Sequence, residues 1–264
     1  MIGDIVGSPG RRAVEAIVCQ LNEEYKLDLV IANGENAAGG SGITPRIARE
    51  LFSFGIDIIT SGDHIWKKRE IIEIIDSESR LLRPANYPPK APGKGQVVVK
   101  SRGGVDIGVI NLLGRVFMSP IDCPFEVARA RVSELRKKAS IIIVDIHAEA
   151  TSEKLAMGWY LDGLVSAVLG SHTHVQTADE RVLPNGTAYI TDLGMTGPFD
   201  SILGRRVEQI LERFITGMPT RFEMADRDIR LQGVILDIDP KSGRANSIER
   251  IQRKLNEVAT YGTK

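Results

Sequence analysis

The chain has 264 residues, and its 34 Lys and Arg residues balance its 34 Asp and Glu residues, so the formal net charge is zero. This balance argues against a protein with a large nucleic-acid-binding surface and against a polybasic membrane-binding protein, because both need an excess of Lys and Arg. Two cysteines provide no disulfide framework, and no apolar run approaches the roughly 18 to 20 residues of a membrane span. We therefore expect a cytoplasmic protein that binds neither nucleic acid stably nor membranes.

Short apolar runs rich in β-branched residues alternate with amphipathic helical segments along the chain. Strands are predicted at residues 29–32, 56–60, 96–100, 105–112, 141–146, 164–169, 187–191 and 233–238. Helices are predicted at residues 11–24, 45–53, 67–75, 124–138 and 205–216, with Thr44 as the N-cap of the second. Residues 83–95 hold four prolines and two glycines and are predicted to be irregular.

This order of elements favours an α/β fold in which two mixed β-sheets pack together with helices outside. We expect residues 1–264 to form a single domain, with a polar tail that frays from residue 252. The pair Gly3-Asp4 marks the end of a first strand, yet only Met1 and Ile2 precede it. Because strands usually have about five residues, this first strand is expected to be truncated, leaving Asp4 little backbone support.

Polar residues collect where the predicted strands end, which is where α/β sheets form their sites. Five strand ends carry carboxylate, carboxamide or imidazole groups, and together they hold all four histidines of the chain: Asp4, Glu35 with Asn36, Asp63 with His64, His147 with Glu149, and His172 with His174. Taken singly, a strand-end Asp is usually a turn residue, and a lone His is usually only hydrogen-bonded. Taken together, these placements favour a metal site.

The ligand types narrow the choice of metal. Imidazole and carboxylate without thiolate suit Mn, Fe, Zn or Co better than Ca or Mg alone. There are more candidate ligands than one tetrahedral ion can bind. They are Asp4, Glu35, Asn36, Asp63, His147, His172 and His174. That supply suits two ions that share a bridging carboxylate, an arrangement that activates a hydroxide and clamps a phosphoryl group.

The order of these motifs resembles the calcineurin-like metallophosphoesterases, and more closely their bacterial YmdB-like branch of cyclic-nucleotide phosphodiesterases. The resemblance extends over nearly the whole chain, and its most specific stretches are residues 3–10, 33–38, 83–86, 147–154 and 170–179. It implies a four-layer fold of two sheets flanked by helices. It also implies hydrolysis of phosphodiesters, including 2′,3′-cyclic AMP.

The resemblance further implies how the ligands would divide between the two metal ions. Glu35 would bridge both ions, in the place that Asp holds in most metallophosphoesterases. The remaining ligands would form two sets, Asp4 with His174 and Asp63 with His147 and His172. A hydroxide that bridges the ions would attack phosphorus in line.

Four other roles are expected near this centre. His64 would be the general acid that protonates the leaving oxygen. Asn36 would lie close by, as a ligand or as a donor to the substrate phosphate. Arg83 is interpreted equally well as a substrate-binding cation or as a loop-anchoring donor, whereas Lys154 is expected to be a solvated helix residue.

Asp63 departs from the family pattern, which has Asn at this position. With Asn at this position, two divalent ions, a bridging hydroxide and the carboxylates of Asp4 and Glu35 leave one unit of positive charge. The carboxylate of Asp63 would cancel that charge. We therefore expect an Fe³⁺/Fe²⁺ pair, with Mn²⁺ as the other candidate metal, or else reduced turnover. The alternative is that Asp63 is a turn residue that does not contact metal.

The leading hypothesis is a dinuclear metal-dependent phosphodiesterase that acts on small cyclic nucleotides. One alternative is a phosphomonoesterase that uses the same site. The other is a regulatory protein that binds metal or nucleotide with weak catalysis. A small phosphodiester is the expected partner, and the oligomeric state stays open, with a homo-oligomer as one alternative.

Overall fold

The computed structural model describes residues 1–255. Its helices are α1 Gly7–Tyr25, α2 Pro45–Ser53, α3 Pro124–Leu135, α4 Thr151–Leu161 and α5 Val207–Thr216, with a short 3₁₀ helix at Arg69–Glu73. Its strands are β1 Asp4–Ile5, β2 Ile31–Asn33, β3 Ile58–Thr60, β4 Gln96–Lys100, β5 Asp106–Leu113, β6 Ile141–His147, β7 Ala167–Ser171, β8 Arg181–Val182, β9 Ala188–Ile190, β10 Met195–Pro198, β11 Ile229–Ile238 and β12 Ala245–Lys254. Within these residues, no helix has both the length and the apolar content that a membrane crossing requires.

The strands form mixed sheets, as the sequence predicted. A six-stranded sheet has the order β4-β5-β6-β7-β9-β8, in which β5, β6, β7 and β9 run parallel. A four-stranded sheet has the order β1-β10-β11-β12, and the parallel pair β2-β3 joins it through a bridge between Ile2 and Ala32. The carboxyl ends of the parallel strands in each sheet therefore meet at one edge.

Three groups of buried apolar side chains hold these elements together. One group combines side chains from both sheets, such as Ile31 of β2, Ile143 of β6 and Leu169 of β7. A second group joins α1 and α2 to β1, β2 and β3, and a third joins α3 and α4 to β5, β6 and β7. Strands that are buried on both faces need near-continuous apolar sequence, and this is the pattern of β6.

Residues 1–5 are bonded to strands on both sides despite their short length. The amide of Ile2 donates to the carbonyl of Ile31 at 2.8 Å on one side. The amide of Asp4 donates to the carbonyl of Gly194 at 3.0 Å on the other. The expectation that Asp4 has little backbone support is therefore not met in the structure.

Several predicted boundaries agree with the structure. The strand predicted at residues 96–100 is β4, and Pro45 begins α2 after Thr44, whose Oγ1 accepts from the amide of Ile47 at 3.3 Å. Helix α5 ends before Gly217, whose φ of 69° gives the left-handed cap expected of a glycine.

Other predictions need correction. The helix predicted at residues 67–75 is only the 3₁₀ helix Arg69–Glu73, and the four β-branched isoleucines of residues 67–75 slightly lower the helix propensity of this segment. Lys154 was expected to lie in a helix, but the bounds of helix α4 were not predicted, since the run from residue 155 to residue 161 is apolar throughout and hides its period. The predicted fraying from residue 252 is wrong up to Lys254, which ends β12, and residues 256–264 lie outside the described part.

A cavity of about 420 Å³ lies at the amino ends of the parallel strands, and its lining is mostly apolar. Met1, Leu29, Ile141 and Ile238 are among the residues around it. Burial here lowers the pKa of the Met1 amine to about 5. The cavity lies at the opposite ends of the strands from the polar cluster, so it is separate from the candidate functional site.

Candidate metal centre

Strand ends from both sheets bring the predicted polar residues into one cluster. The contributing segments are β1, the loops after β2 and β3, the end of β6 and the loop after β7. They supply Asp4, Glu35, Asn36, Asp63, His64, His147, His172 and His174, which are linked through the short contacts given below. Residues distant in sequence therefore meet at one site, as sites at strand carboxyl ends do.

Glu35 and His147 form the centre of this cluster, and both are fully buried. The Nε2 of His147 lies 3.0 Å from Oε1 of Glu35, and its Nδ1 lies 2.9 Å from the hydroxyl of Ser171. Burial alone would lower the pKa of His147, but Glu35, Asp63 and Asp4 together hold it well above its usual value. The site is therefore strongly negative in potential, which favours a bound cation.

Four of these residues can hold one cation. Glu35, Asp63, His147 and His172 each offer one ligand atom, and all four atoms lie within 4.8 Å of one another. The Nδ1 of His172 is 3.0 Å from Nε2 of His147 and 3.8 Å from Oδ1 of Asp63. Two carboxylates and two imidazoles at this spacing match the ligand set of a transition metal.

Asp4 and His174 lie beside this group and form a second pair of donors. The Oδ1 of Asp4 is 3.8 Å from Nε2 of His174 and 3.9 Å from Nδ1 of His147. Burial raises the pKa of Asp4 to about 8 and lowers the pKa of His174 to about 4. Without a cation, both groups are thus driven towards their neutral forms by lost hydration.

Polar atoms without partners test whether these residues suit a metal. Within residues 1–255, Oδ1 of Asp4, Oδ1 of Asp63 and Nδ1 of His174 are buried and have no hydrogen-bond partner. Buried carboxylate oxygens normally have a partner, and a cation would supply one for Asp4 and Asp63. His172 and His174 also have φ angles of 103° and 64°, backbone strain of the kind that persists at functional sites. The donor set therefore fits metal ions.

His64 stands at the edge of the cluster, with its side chain 30% exposed. Its Nδ1 lies 2.8 Å from Oδ1 of Asn36, and its amide donates to Oε2 of Glu35 at 3.1 Å. The Nδ2 of Asn36 faces Oε1 of Glu35 and Nε2 of His174 at 3.1 and 3.2 Å. In this orientation the side-chain oxygen of Asn36 accepts from Nδ1 of His64. A role as metal ligand would require the side-chain amide of Asn36 to be reversed.

The contacts of Arg83 favour one of its two interpretations, whereas the burial of Lys154 contradicts its prediction as a solvated residue. All three guanidinium nitrogens of Arg83 donate to backbone carbonyls, those of Pro84, Ala91 and Pro92, at 2.7 to 3.2 Å. Arg83 therefore anchors the irregular loop, and these contacts do not support its prediction as a substrate-binding residue. Lys154 is not solvated. It is buried, and its ammonium forms an ion pair with the buried carboxylate of Asp192.

Sequence reasoning missed the buried residues that support the ligands. Asp145 accepts from the hydroxyls of Ser171 and Thr60 at 2.6 and 2.5 Å and from Nδ2 of Asn33 at 3.2 Å. Through Ser171 it orients His147, as carboxylates behind metal-binding histidines do. The one available signal was a charged residue inside the apolar strand β6.

Two further features surround the ligands. The Nε2 of His172 is 2.9 Å from Oε2 of Glu149, a strand-end carboxylate that was noted in the sequence without a role. Gly62 lies so close to the cluster that a Cβ there would be 2.1 Å from the ring of His147 and 2.4 Å from Oε2 of Glu35. Only glycine allows this approach of the backbone.

Comparisons with known proteins agree with this arrangement. The family model of YmdB-like proteins matches residues 1–251. The chain is 53% identical over 250 residues to the 2′,3′-cyclic-nucleotide 2′-phosphodiesterase of Bacillus subtilis (strain 168), and the match covers 95% of this chain and 94% of that protein.

Two solved structures are similar over nearly their whole length. A hypothetical protein from Thermus thermophilus superposes with a TM-score of 0.90 at 43% identity, covering 96% of this chain and 97% of that one. A novel phosphatase from Mycoplasma pneumoniae superposes with a TM-score of 0.89 at 34% identity, covering 96% and 92%.

Proposed function

Because the chain belongs to the family of YmdB-like proteins, we propose that it is a metal-dependent phosphodiesterase that hydrolyses small cyclic nucleotides such as 2′,3′-cyclic AMP. The observation that carries this proposal is the cluster of Glu35, Asp63, His147 and His172, whose ligand atoms lie within 4.8 Å of one another. The named activity of the Bacillus subtilis relative supports the class of substrate.

The proposal includes two metal ions, held as an Fe³⁺/Fe²⁺ pair or as Mn²⁺. The ligands would be Glu35 between the ions, with Asp4 and His174 on one side and Asp63, His147 and His172 on the other. The separation of the donors into a group of four and an adjacent pair supports two ions. When bound, such ions supply an activated water and stabilise negative charge on the phosphoryl oxygens.

His64 is the proposed general acid for the departing ribose oxygen. Its ring is held at Nδ1 by Oδ1 of Asn36 and is partly exposed at the edge of the cluster, where a substrate can reach it. An acid in this place donates its proton as the phosphorus–oxygen bond breaks. Asn36 is proposed to orient this ring and, with its amide reversed, to serve as a ligand or to donate to the phosphate.

A diester is favoured over a monoester because the cations of the motif segments are already engaged. A monoester dianion calls for additional Arg or Lys donors. Arg83 donates to three backbone carbonyls, and Lys154 is paired inside the protein. Neither is placed to bind the extra negative charge of a monoester.

We also propose that the elements stack as four layers, helix–sheet–sheet–helix, in one domain. The three apolar groups support this order, since one combines both sheets and each of the others joins one sheet to its own helices. A domain of this kind places strand ends of both sheets at one edge, where the candidate metal centre lies.

Metal analysis combined with hydrolysis assays tests the proposed function. The purified protein should carry close to two transition-metal ions and should hydrolyse 2′,3′-cyclic AMP and bis-nitrophenyl phosphate faster than nitrophenyl phosphate. Faster monoester hydrolysis would favour the phosphomonoesterase, and binding without hydrolysis would favour the regulatory protein.

The variant His64→Ala tests the role of the acid. It should lose roughly 10²- to 10⁴-fold in turnover while retaining its metal, because the ring of His64 lies outside the group of four ligands. Asp106→Asn, a change on the exposed surface, serves as a control with normal turnover. Full turnover of His64→Ala would show that another group protonates the leaving oxygen.

A further inference from the structure

A buried ion pair lies directly behind the candidate metal centre. Lys154 of α4 and Asp192, between β9 and β10, are both buried, and the Nζ of Lys154 lies 2.7 Å from Oδ2 of Asp192. We propose that Lys154 and Asp192 are positioning residues that set His172 and His174 against Asp4. The inference rests on the proposed function, because it concerns the same ligands.

One oxygen of Asp192 holds the loop that carries the two histidines. Its Oδ2 accepts from the amide of Thr173 at 3.0 Å and from the hydroxyl of Thr173 at 2.7 Å. Thr173 stands between His172 and His174, whose φ angles of 103° and 64° are unfavourable for residues with side chains. A strained backbone conformation persists only where the surrounding structure holds it in place. The two hydrogen bonds from Thr173 to Asp192 therefore keep both imidazoles in position.

The other oxygen of Asp192 holds the turn against which β1 packs. Its Oδ1 accepts from the amide of Gly194 at 2.8 Å, and the carbonyl of Gly194 accepts from the amide of Asp4 at 3.0 Å. The contact is close, since a Cβ at Gly3 would be 2.1 Å from that carbonyl oxygen. A single carboxylate thus determines the positions of ligands that come from two different sheets.

Lys154 supplies the positive charge that this carboxylate requires. A buried carboxylate without a counter-ion is costly, so loss of Lys154 would move Asp192 away from its present position. The stem of Lys154 passes beside Gly170, where a Cβ would be 2.9 Å from Cδ of Lys154. Gly170 precedes the histidine loop, so the lysine is fixed at the same place as the loop it supports.

The experiment measures metal affinity in Lys154→Met, Lys154→Arg and Asp192→Asn, with Mn²⁺ as the probe and a competing chelator. Lys154→Met and Asp192→Asn should bind Mn²⁺ roughly 10- to 100-fold more weakly, the usual effect of residues that support ligands. Lys154→Arg should recover most of the affinity, because it restores the charge. Lys100→Met, which breaks an exposed pair with Asp106, should bind like the wild type.

A double variant keeps the test decisive if Lys154→Met does not fold. Lys154→Met with Asp192→Asn has no unpaired buried charge and should fold, but it should still bind Mn²⁺ weakly. The reason is that Asn has a single oxygen, whereas Asp192 accepts from Thr173 on one side and from Gly194 on the other.

The outcomes separate this inference from the proposed function. If the wild type binds neither Mn²⁺ nor iron, the proposed function fails and the positioning role fails with it. If it binds iron alone, the same variants are compared with Fe²⁺ as the probe. If the wild type binds Mn²⁺ and the folded single or double variants bind it equally well, only the positioning role is overturned. A lower unfolding temperature of the metal-free variants with unchanged Mn²⁺ affinity would identify a purely structural ion pair.

Discussion

Asp63 differs from the other two carboxylates of the cluster in its surroundings. Asp4 and Glu35 are fully buried, whereas the side chain of Asp63 is 27% exposed. Its Oδ1 lies 3.5 Å from Nε2 of His147, and its Oδ2 lies 3.6 Å from Nε2 of His64. Although burial opposes this, His147, His64 and His172 keep the pKa of Asp63 below its usual value, so it is ionised.

The variant Asp63→Asn should weaken metal binding and increase kcat/KM at saturating metal. The amide retains an oxygen for the ion but loses a negative charge, so roughly 10-fold lower affinity is expected. The same loss makes the site more attractive to an anionic substrate, which should lower KM. Metal titration and steady-state kinetics measure both effects, with Asp106→Asn as the surface control. Unchanged metal affinity would show that Asp63 is only a turn residue.

Helix α2 shows how a single element supports the site without contacting it. Its buried residues Ile47, Ala48 and Leu51 pack into the core beside the loop that carries Glu35. The loop is close, since a Cβ at Gly34 would be 3.6 Å from Cδ1 of Leu51. The sequence predicted the start of this helix because a Thr–Pro pair both caps it and presets its first turn.

Thr44→Ala should destabilise the whole protein rather than alter its chemistry. The substitution removes the oxygen that accepts from the amide of Ile47, at an expected cost of about 1 kcal/mol. For a chain of this size, that corresponds to roughly 2 to 4 °C in Tm. Thr44→Ser keeps the hydroxyl and should unfold with the wild type in a calorimetric scan. Equal Tm values for Thr44→Ala and the wild type would contradict the role of the cap.

At the scale of the whole molecule, the candidate metal centre lies where polar residues from the two sheets come together. Ligands from β1, β6 and the loops after β2, β3 and β7 share it, so metal binding and folding are coupled.

The metal-free protein should become less stable as the pH rises from about 6.5 to about 8. In the metal-free fold the pKa of Asp4 is about 8, against an ordinary value of 3.8, so the folded chain holds a proton that the unfolded chain has lost. The raised pKa of His147 acts in the same direction. His174, with a pKa of about 4, opposes this only below about pH 6.5.

Thermal unfolding of chelator-treated and Mn²⁺-loaded protein between about pH 6.5 and about pH 8.5 measures this dependence. The chelated protein should lose stability steadily, and the gain in Tm from Mn²⁺ should increase with pH, because metal replaces the proton on Asp4. A chelated protein whose Tm rises across this window would contradict the assignment of Asp4 as a buried, protonated ligand.

Residue type and spacing were sufficient to predict the features that depend on local pattern. These features are the alternation of strands and helices, the capped start of α2 and the collection of histidines and carboxylates at strand ends. The signals are local because capping, periodicity and turn formation act over a few residues. They were enough to indicate the class of fold and the candidate ligands.

The contacts of each polar residue, by contrast, emerged only from the folded chain. Arg83 donates to its own loop, Asn36 turns its oxygen towards His64, and Lys154 pairs with Asp192 from 38 residues away. Whether a charge is solvated or buried depends on which distant segment packs against it, and no local pattern records that partner. The short first strand shows the same limit, because its support comes from β2, β10 and β11 rather than from its own length.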